Sequence, residues 1–305
     1  MRNGHLATIY PALVRRITLP SPYERERIPT PDDDFLDLDW IRAGRERLVI
    51  ISHGLEGNSE RAYIQGMAHA FWSCGFDVLA WNYRSCGTEM NRSLTMYHSG
   101  ATADLACVVD HAIRQGYGSI QLVGFSLGGN LTLKYLGEKA RPQEIKKAVV
   151  FSVPLDLSAG SDHISRRENR IYERRFLRSL KRKVIAKKVQ FPSLDTTRLD
   201  EIQTLRAFDD RFTAPLHGFV DAEDYYQQCS SRYFLKSINR PALVVNAAND
   251  PFLPTACLDP GLFEDAPFAS FEKPALGGHC GFASFKNKPW YWSEQRALAY
   301  CLTDE

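Results

Sequence analysis

The segment Gln121–Asn130, "QLVGFSLGGN", places a serine between two glycines directly after an apolar run. Ile120–Val123 has the composition of a buried strand, and Leu131–Leu136 has that of the start of a helix. The segment therefore matches G-x-S-x-G, with Ser126 in the strand–turn–helix context of a nucleophilic serine. Small residues are needed beside it because larger side chains would collide with such a sharp turn. The following helix would direct its first N–H groups toward negative charge near the serine.

Short aliphatic runs alternate with helical patterns through most of the 305 residues. Because these runs are continuously apolar, they are typical of strands buried on both faces of a parallel sheet. We predict six such strands: Leu48–Ser52, Asp77–Asn82, Ile120–Phe125, Ala148–Val153, Ala242–Ala247 and Phe268–Lys273. A strictly alternating stretch, Asp34–Trp40, is instead typical of an antiparallel edge strand with one wet face. The repetition of strand and helix predicts a mostly parallel, doubly wound α/β sheet.

The strand–helix rhythm stops after the fourth of these strands. Helical patterns without strands follow, over Arg170–Lys188, Leu199–Phe208 and Ala222–Cys229. Asp221, with an acidic residue three positions on, is a predicted N-cap of the last helix. We therefore divide the chain into a core of residues 1–156 and 237–305 and a helical cap insertion of residues 157–236. Such an insertion is expected above the carboxyl edge of the sheet, where α/β sheets bind ligands.

A serine hydroxyl becomes a nucleophile when a neighbouring base takes its proton. Among the eight histidines, His279 stands in a glycine-rich loop, "LGGHCGF", after the last predicted strand. Asp250 follows the preceding strand closely and offers a carboxylate to orient that histidine. Ser126, Asp250 and His279 thus occur in the order nucleophile, acid, base, which is the order of an α/β-hydrolase. The sequence predicts a Ser-His-Asp triad at the carboxyl edge of the sheet.

The negative oxygen of a tetrahedral intermediate needs two backbone N–H donors. One is predicted at Leu127, directly after the serine. The other is predicted at Leu55, in the "HGLEG" loop that follows the first of the six strands.

Other polar residues at strand ends leave alternatives open. Asp156 follows the strand before the insertion and is the best substitute for Asp250 as the acid. His53 is interpreted as a residue that organises its own loop. His98 is interpreted as ordering the start of a helix, with Ser99 as the candidate cap.

The segment Arg166–Gln190 is strongly basic, with eleven basic and two acidic residues. Apolar residues recur in it every four positions, at Tyr172, Phe176, Leu180 and Val184. We interpret it as a cap helix with a solvated basic side and a stripe that packs inward. The alternatives are a peripheral membrane-surface helix or a collar for an anionic substrate.

The composition excludes several other classes of protein. A net charge of +2 gives no reason to expect nucleic acid as a partner. No apolar stretch approaches the roughly 20 residues of a membrane span, and Leu6–Val14, which contains a proline and lacks a cleavage site, is interpreted as part of the fold. No H-E-x-x-H, clustered carboxylates or Walker glycines occur, so neither a metal nor another cofactor is predicted. Seven cysteines, never closer than twelve residues, indicate a reducing cytoplasm.

Over nearly its whole length the chain resembles the YheT-type α/β-hydrolases. The matching segments are "HGLEGNSE" (53–60), "NYR" with "CG" (82–87), "MYHSG" (96–100), "GFSLGGN" (124–130), "FDDRFTAPLHGF" (208–219), "AANDPF" (247–252) and "GGHCGF" (277–282). The cap-region match, together with "DAEDYY" (221–226), is the most specific to this branch. The resemblance implies that Ser126, Asp250 and His279 are nucleophile, acid and base, as the chemistry also indicates. Ser85 departs from the glycine usual in the family.

Triad and resemblance together predict a serine hydrolase that cleaves small-molecule carboxylic esters through an acyl-enzyme. Short or medium acyl chains are the expected substrates. One alternative is an acyltransferase, in which an alcohol replaces water at the same triad, as the resemblance implies for some members. The other alternative is a non-catalytic binding protein that shares the fold.

Overall fold

The structure, a computed structural model, describes residues 1–284 and 290–303. Its strands are β1 (Glu24–Pro29), β2 (Phe35–Ile41), β3 (Arg47–Ser52), β4 (Asp77–Asn82), β5 (Ser119–Phe125), β6 (Ile145–Phe151), β7 (Ala242–Val245) and β8 (Ala269–Glu272). Within the described ranges they form one eight-stranded sheet in the order β1-β2-β4-β3-β5-β6-β7-β8. β3 to β8 are parallel, and β2 is antiparallel to both of its neighbours. The predicted fold class is confirmed.

Helices cover both faces of this sheet. They are α1 (Gly4–Val14), α2 (Ala62–Ser73), α3 (Thr102–Arg114), α4 (Leu127–Glu138), α5 (Leu157–Ile164), α6 (Arg170–Gln190), α7 (Leu205–Phe208), α8 (Ala214–Leu216), α9 (Ala222–Cys229) and α10 (Trp292–Leu302). α3 and α4 pack on one face of the sheet, and α2 and α10 pack on the other. In the part of the chain that the structure describes, none of the helices is long and apolar enough to span a bilayer.

The alternating stretch was predicted as an antiparallel edge strand with a wet face; it is antiparallel, but it has neither an edge position nor a wet face. As β2 it lies inside the sheet, and all of its residues are buried. Arg25 and Arg27 of β1 lie directly opposite Asp39 and Asp37, with ion-pair distances of 2.6 and 2.7 Å. Opposite charges facing each other across two strands stabilise the pairing. The edge position and the wet face were predicted wrongly because arginines of β1 cover the polar face of β2. The sequence of β1 is itself highly charged and looks like an exposed segment.

Residues 157–236, all of which the structure describes, contain helices and no strand. The helices bury apolar clusters of their own, separate from those on the sheet. α9 begins as predicted, since the Asp221 carboxylate accepts a hydrogen bond from the Asp224 N–H at 2.8 Å. The continuous helix predicted over Leu199–Phe208 is wrong, because Thr204 caps a separate α7 by accepting from the Ala207 N–H. The division into core and cap stays an interpretation.

The basic helix α6 turns its apolar stripe toward the protein, as predicted. Tyr172, Leu180 and Val184 are buried, whereas Arg174 and Arg178 are exposed. The stripe therefore fixes α6 on the rest of the molecule. Membrane contact and anionic-substrate contact stay predictions.

Candidate active site

Ser126 occupies a sharp turn between the end of β5 and the start of α4. Its φ of 53° and ψ of −119° lie in a region that a non-glycine residue adopts only when the surrounding structure imposes it. A Cβ on Gly124 would lie 2.5 Å from the carbonyl oxygen of Gly128. A Cβ on Gly128 would lie 2.5 Å from the carbonyl oxygens of Ser52 and His53. Both glycines are therefore required for the close contact of β5, α4 and the end of β3.

The three predicted triad residues come together at the carboxyl edge of the sheet. His279 Nε2 lies 2.9 Å from Ser126 Oγ. His279 Nδ1 lies 2.9 and 3.1 Å from the two carboxylate oxygens of Asp250, whose side chain is fully buried. Because an ionised carboxylate can only accept, Nδ1 carries the proton and Nε2 is left to accept from the serine hydroxyl.

The Asp250 carboxylate controls the charge of the imidazole. Burial by itself lowers the pKa of His279, but the negative charge of Asp250 outweighs it and raises that pKa above its ordinary value. The charged imidazolium, which forms when the base takes a proton, is thus stabilised in place.

Hydrogen bonds hold the loop that carries the histidine. The Asn249 side-chain oxygen accepts from the N–H groups of Gly277 and Gly278 at 2.8 and 3.0 Å. The His279 N–H donates to Thr8 Oγ1 of α1 at 2.9 Å. The N-terminal segment is therefore part of the support of this loop, in agreement with its interpretation as part of the fold.

An aromatic ring packs against the face of the imidazole. Phe252 stacks on His279 with ring centroids 4.0 Å apart, and it also contacts Tyr172 and Phe176 of α6. The contacts of Phe252 and Thr8 with His279 were not predicted from the sequence. The segment "AANDPF" contained a signal for Phe252, which follows the acid by two residues, but nothing near Thr8 pointed to the histidine.

The two predicted oxyanion donors flank the serine. Leu55, Leu127 and Ser126 line the same cavity. The loop before Leu55 approaches the serine closely, since a Cβ on Gly54 would lie 3.2 Å from Ser126 Cβ. Among the described residues no group accepts a hydrogen bond from the Leu55 N–H, and the Leu127 N–H opens α4, where the helix has no acceptor for it. Both N–H groups are thus available to a ligand oxygen.

The residue after Leu55 ties this loop to α6. Glu56 has a φ of 53°, and its carboxylate accepts from Tyr97 Oη and Lys183 Nζ, each at 2.6 Å, and from the Ser179 hydroxyl. The side chains of Glu56 and Lys183 are 5% and 14% exposed. A mostly buried ion pair therefore joins the loop to the basic helix. This contact was not predicted, because nothing in the sequence distinguishes Lys183 from the ten other basic residues of the segment.

Removing the cation of this pair should destabilise the fold. We expect Lys183→Met to lower the free energy of unfolding by about 2 to 3 kcal/mol, because the Glu56 carboxylate would stay buried without its charge partner. Urea unfolding followed by fluorescence measures the change. Lys181→Met is the matched control, since Lys181 donates to the exposed Asp200 carbonyl oxygen and has no ion pair with the residues that the structure describes. It should change stability by less than about 0.5 kcal/mol. Equal losses in the two variants would contradict the proposed role of the ion pair.

The alternative acid and the loop histidine have other positions. Asp156 caps α5, accepting from the Ala159 N–H at 2.9 Å, and pairs with Arg232. His53 is fully buried, and its ring bonds the Gly54 carbonyl oxygen at 2.8 Å. Burial lowers the pKa of His53 to about 3, so the ring stays neutral. His53 therefore organises its loop, as predicted.

His98 lies at the start of α3 as predicted, since its Nδ1 accepts from the Gly100 N–H at 3.2 Å, but Ser99 differs from its prediction. α3 begins with Ala101 at its N-cap and no side-chain cap bond, so the expected capping by Ser99 is wrong. The reason is that α3 begins at Thr102, so Ser99 precedes the N-cap position, and its backbone N–H donates to Tyr225 Oη at 2.9 Å. His98 also lines the cavity beside the serine, and its ring centroid lies 4.3 Å from that of His217.

Two cavities meet at Ser126 and His279. The first, of about 140 Å³, lies between the cap helices and the sheet edge. Its apolar lining includes Leu55, Leu157, Ile164, Phe176, Leu180, Phe208 and Leu253. The second, of about 250 Å³, lies between α1, α6 and the loop after β3. Its lining includes the polar residues Thr8, Arg61, Arg175 and Ser179. The serine thus stands between an apolar compartment and a more polar one.

A mostly parallel sheet with a serine, a histidine and an aspartate at its carboxyl edge defines the class of α/β hydrolases. The family described as "alpha/beta hydrolase fold" matches residues 47–283, and the chain belongs to this family. The YheT protein of Escherichia coli (strain K12) is 33% identical to it, over 99% of this chain and 91% of its own. The resemblance to the YheT-type branch is confirmed.

Other relatives extend this comparison. The phospholipase ABHD3 of Mus musculus is 29% identical, covering 86% of this chain and 67% of its own. The monoacylglycerol lipase of Saccharomyces cerevisiae is 27% identical, covering 95% and 70%. The solved structure of the Pyrococcus furiosus esterase Pf2001 superposes with a TM-score of 0.64 at 18% identity, over 96% of this chain and 97% of its own, and shows the shared fold. The chain is thus a hydrolytic enzyme of the α/β class.

Proposed function

We propose that the protein is a serine esterase that hydrolyses carboxylic esters through an acyl-enzyme. The observation that carries the proposal is the contact chain Ser126–His279–Asp250, with 2.9 Å at each link, opening onto a mostly apolar cavity. The names of the relatives, a phospholipase and a monoacylglycerol lipase, support ester substrates.

The geometry supports the following sequence of steps. His279 takes the proton of Ser126, whose oxygen attacks the ester carbonyl, and the N–H groups of Leu55 and Leu127 bind the resulting oxyanion. His279 then protonates the leaving alcohol, which departs and leaves the acyl group on the serine. In the second half, His279 takes a proton from water, whose oxygen attacks the acyl carbonyl, and His279 then gives this proton to Ser126 Oγ as the acid is released. Asp250 fixes the tautomer of the imidazole and stabilises its charged form.

The two cavities suit the two halves of an ester. We assign the acyl chain to the apolar cavity and the alcohol to the more polar one. An apolar protein cavity of about 150 Å³ holds benzene, so the first cavity, at about 140 Å³, suits acyl chains of about six carbons. Short to medium acyl chains are therefore the proposed substrates.

A panel of p-nitrophenyl esters from acetate to dodecanoate tests this proposal. We expect kcat/KM to peak between about four and eight carbons and to fall for longer chains. A fluorophosphonate probe should label the wild type. Adding a primary alcohol distinguishes hydrolysis from acyl transfer, since a transferase would yield the new ester in place of the free acid. A protein that neither labels nor hydrolyses any ester would be a binding protein on this fold.

The oxyanion assignment predicts a small effect of a side-chain change. Because the proposed donor is the backbone N–H, Leu55→Ala should keep kcat within about tenfold of wild type, whereas loss of one oxyanion donor costs about 10²- to 10³-fold. Steady-state kinetics on the best ester of the panel measures it. Leu13→Ala, at an exposed residue of α1 that lines the second cavity but not the first, is the matched control. A hundredfold loss of kcat in Leu55→Ala alone would show that the side chain, not the N–H, is required.

A further inference from the structure

Several polar side chains of the cap line part of the apolar cavity. Ser161, Asp209, Thr213 and Tyr226 all line it. Asp209 is at the centre of this group, accepting from Thr213 Oγ1 at 2.5 Å and from Tyr226 Oη at 2.6 Å. Tyr226 Oη also lies 3.1 Å from Ser161 Oγ. We call these four residues the Asp209 cluster. The cluster connects the two cap segments "FDDRFTAPLHGF" and "DAEDYY", and none of its residues has a role in the proposed mechanism.

The Asp209 carboxylate differs from several mostly buried carboxylates of the molecule, which have a cationic partner. Glu56 is paired with Lys183, and Asp104 is paired with Arg84 at 2.7 Å. In the described ranges Asp209 has no cation within ion-pair distance and only two hydroxyl donors. An ionised carboxylate can accept at about four lone-pair positions. Burial accordingly raises the pKa of Asp209 to about 6.

The spare acceptor positions adjoin a cavity that holds part of the substrate. Asp209 is half-buried, and it lines this cavity together with the apolar residues. A hydroxyl on the substrate could donate to the carboxylate and supply a third hydrogen bond. A neutral hydroxyl enters an apolar cavity at a far smaller desolvation cost than an ammonium group, and an anionic group would be repelled by the carboxylate.

We propose that the Asp209 cluster is a subsite for a hydroxyl group on the acyl chain of the substrate. This inference rests on the proposed esterase function and narrows its substrate class to esters of hydroxylated acids. The carboxylate accepts the hydrogen bond of the substrate hydroxyl, while Thr213 and Tyr226 keep the carboxylate in place. Asp209 is thus a specificity-determining residue rather than a part of the triad.

Matched pairs of methyl esters test the subsite. One member of each pair carries a hydroxyl at carbon 3 or 6 of a hexanoyl chain or at carbon 8 of an octanoyl chain, and the other carries a methyl group in its place. Carbons 4 and 5 are omitted because hydroxyls there close onto the ester as lactones. For at least one position we expect wild-type kcat/KM to favour the hydroxyl by about tenfold or more, because hydrogen bonds to charged groups are the stronger ones.

Variants assign the preference to the carboxylate. Asp209→Asn should lower the hydroxyl-to-methyl ratio by about fivefold or more while the plain esters are still hydrolysed, because a neutral amide oxygen accepts a weaker hydrogen bond than a carboxylate. Asp210→Asn is the matched control, since Asp210 is exposed and accepts from the Ala222 N–H, a bond that asparagine can keep; its ratio should equal that of the wild type. If Asp209→Asn does not fold, Asp209→Ser supplies the same comparison.

The failures of the two proposals are distinguishable. A wild-type ratio of one or less at every position, with plain esters hydrolysed, overturns the subsite and leaves the esterase proposal standing. A hydroxyl-to-methyl ratio in the folded Asp209 variant that equals the wild-type ratio also overturns it. A 6-amino ester that is turned over faster than the 6-hydroxy ester would show that the ligand is a cation, not a hydroxyl. If neither turnover of any ester nor fluorophosphonate labelling occurs, the esterase proposal fails and this inference fails with it.

Discussion

Ser126→Ala should reduce kcat for the best ester by about 10⁴- to 10⁶-fold, because it removes the oxygen that forms the acyl-enzyme. The remaining rate over water would come from the oxyanion donors and from substrate binding, which the substitution leaves in place. KM should change little, since the hydroxyl contributes little to binding the ground state. Fluorophosphonate labelling should vanish together with turnover.

The control for this variant is a serine that lies outside the cavities. Ser158→Ala in α5, whose hydroxyl donates to Glu223, should keep kcat within about twofold. Thermal unfolding should show that Ser126→Ala is folded, since alanine and serine share the Cβ that makes a φ of 53° unfavourable. Turnover by Ser126→Ala at the wild-type rate would remove the nucleophile from the proposed mechanism, whereas a trace rate that a fluorophosphonate abolishes would indicate a contaminating hydrolase.

Two contacts connect α6 to the site from opposite sides. On one side, the Glu56–Lys183 pair holds the loop that carries the proposed oxyanion donor. On the other side, Tyr172 and Phe176 contact Phe252, whose ring stacks on the imidazole. The position of one cap helix therefore affects both the base and the oxyanion loop.

The parts of the fold that could be predicted from the sequence are those with a local signal. The predicted runs located β3 to β8 to within three residues at each end, because a strand buried on both faces needs no polar residue. The expected burial on both faces is wrong for β8, which lies at the edge of the sheet and is partly exposed. The location of β2 in the sheet could not be predicted, because its Asp37 and Asp39 are neutralised by arginines from another strand. A local pattern does not show which distant segment covers it.

The active site likewise combines residues that have a local sequence signal with residues that depend on distant contacts. Ser126, Asp250 and His279 each follow a strand, so sheet topology alone was enough to predict that they meet. No comparable rule predicts the residues that hold the triad and the oxyanion loop in place. The His279 N–H donates to Thr8, which is 271 residues away in the sequence, and Lys183 pairs with Glu56, which is 127 residues away. These contacts depend on how α1 and α6 pack on the core, which the apolar periodicity of each helix does not specify.

Asp250→Asn should reduce kcat by about 10⁴-fold while leaving the fold intact. The carboxylate can only accept, which forces the Nδ1–H tautomer; an amide can donate to Nδ1 and leave the proton on Nε2, where it blocks the base. The neutral amide also no longer stabilises the imidazolium. Steady-state kinetics over a range of pH measures both effects.

The pH profile separates the charge effect from a general loss of structure. In the wild type, kcat/KM should rise with pH as His279 loses its proton, with a midpoint above the ordinary histidine pKa because Asp250 raises it. In Asp250→Asn the pKa of His279 should fall, and the midpoint of the residual activity should move to lower pH. Asp156→Asn is the matched control: Asp156 caps α5 and pairs with Arg232, so this variant should leave the midpoint unmoved and kcat within a few fold. If Asp156→Asn moved the midpoint and Asp250→Asn did not, the orienting acid would have to be reassigned to Asp156, although the structure places the Asp250 carboxylate 2.9 Å from the imidazole nitrogen.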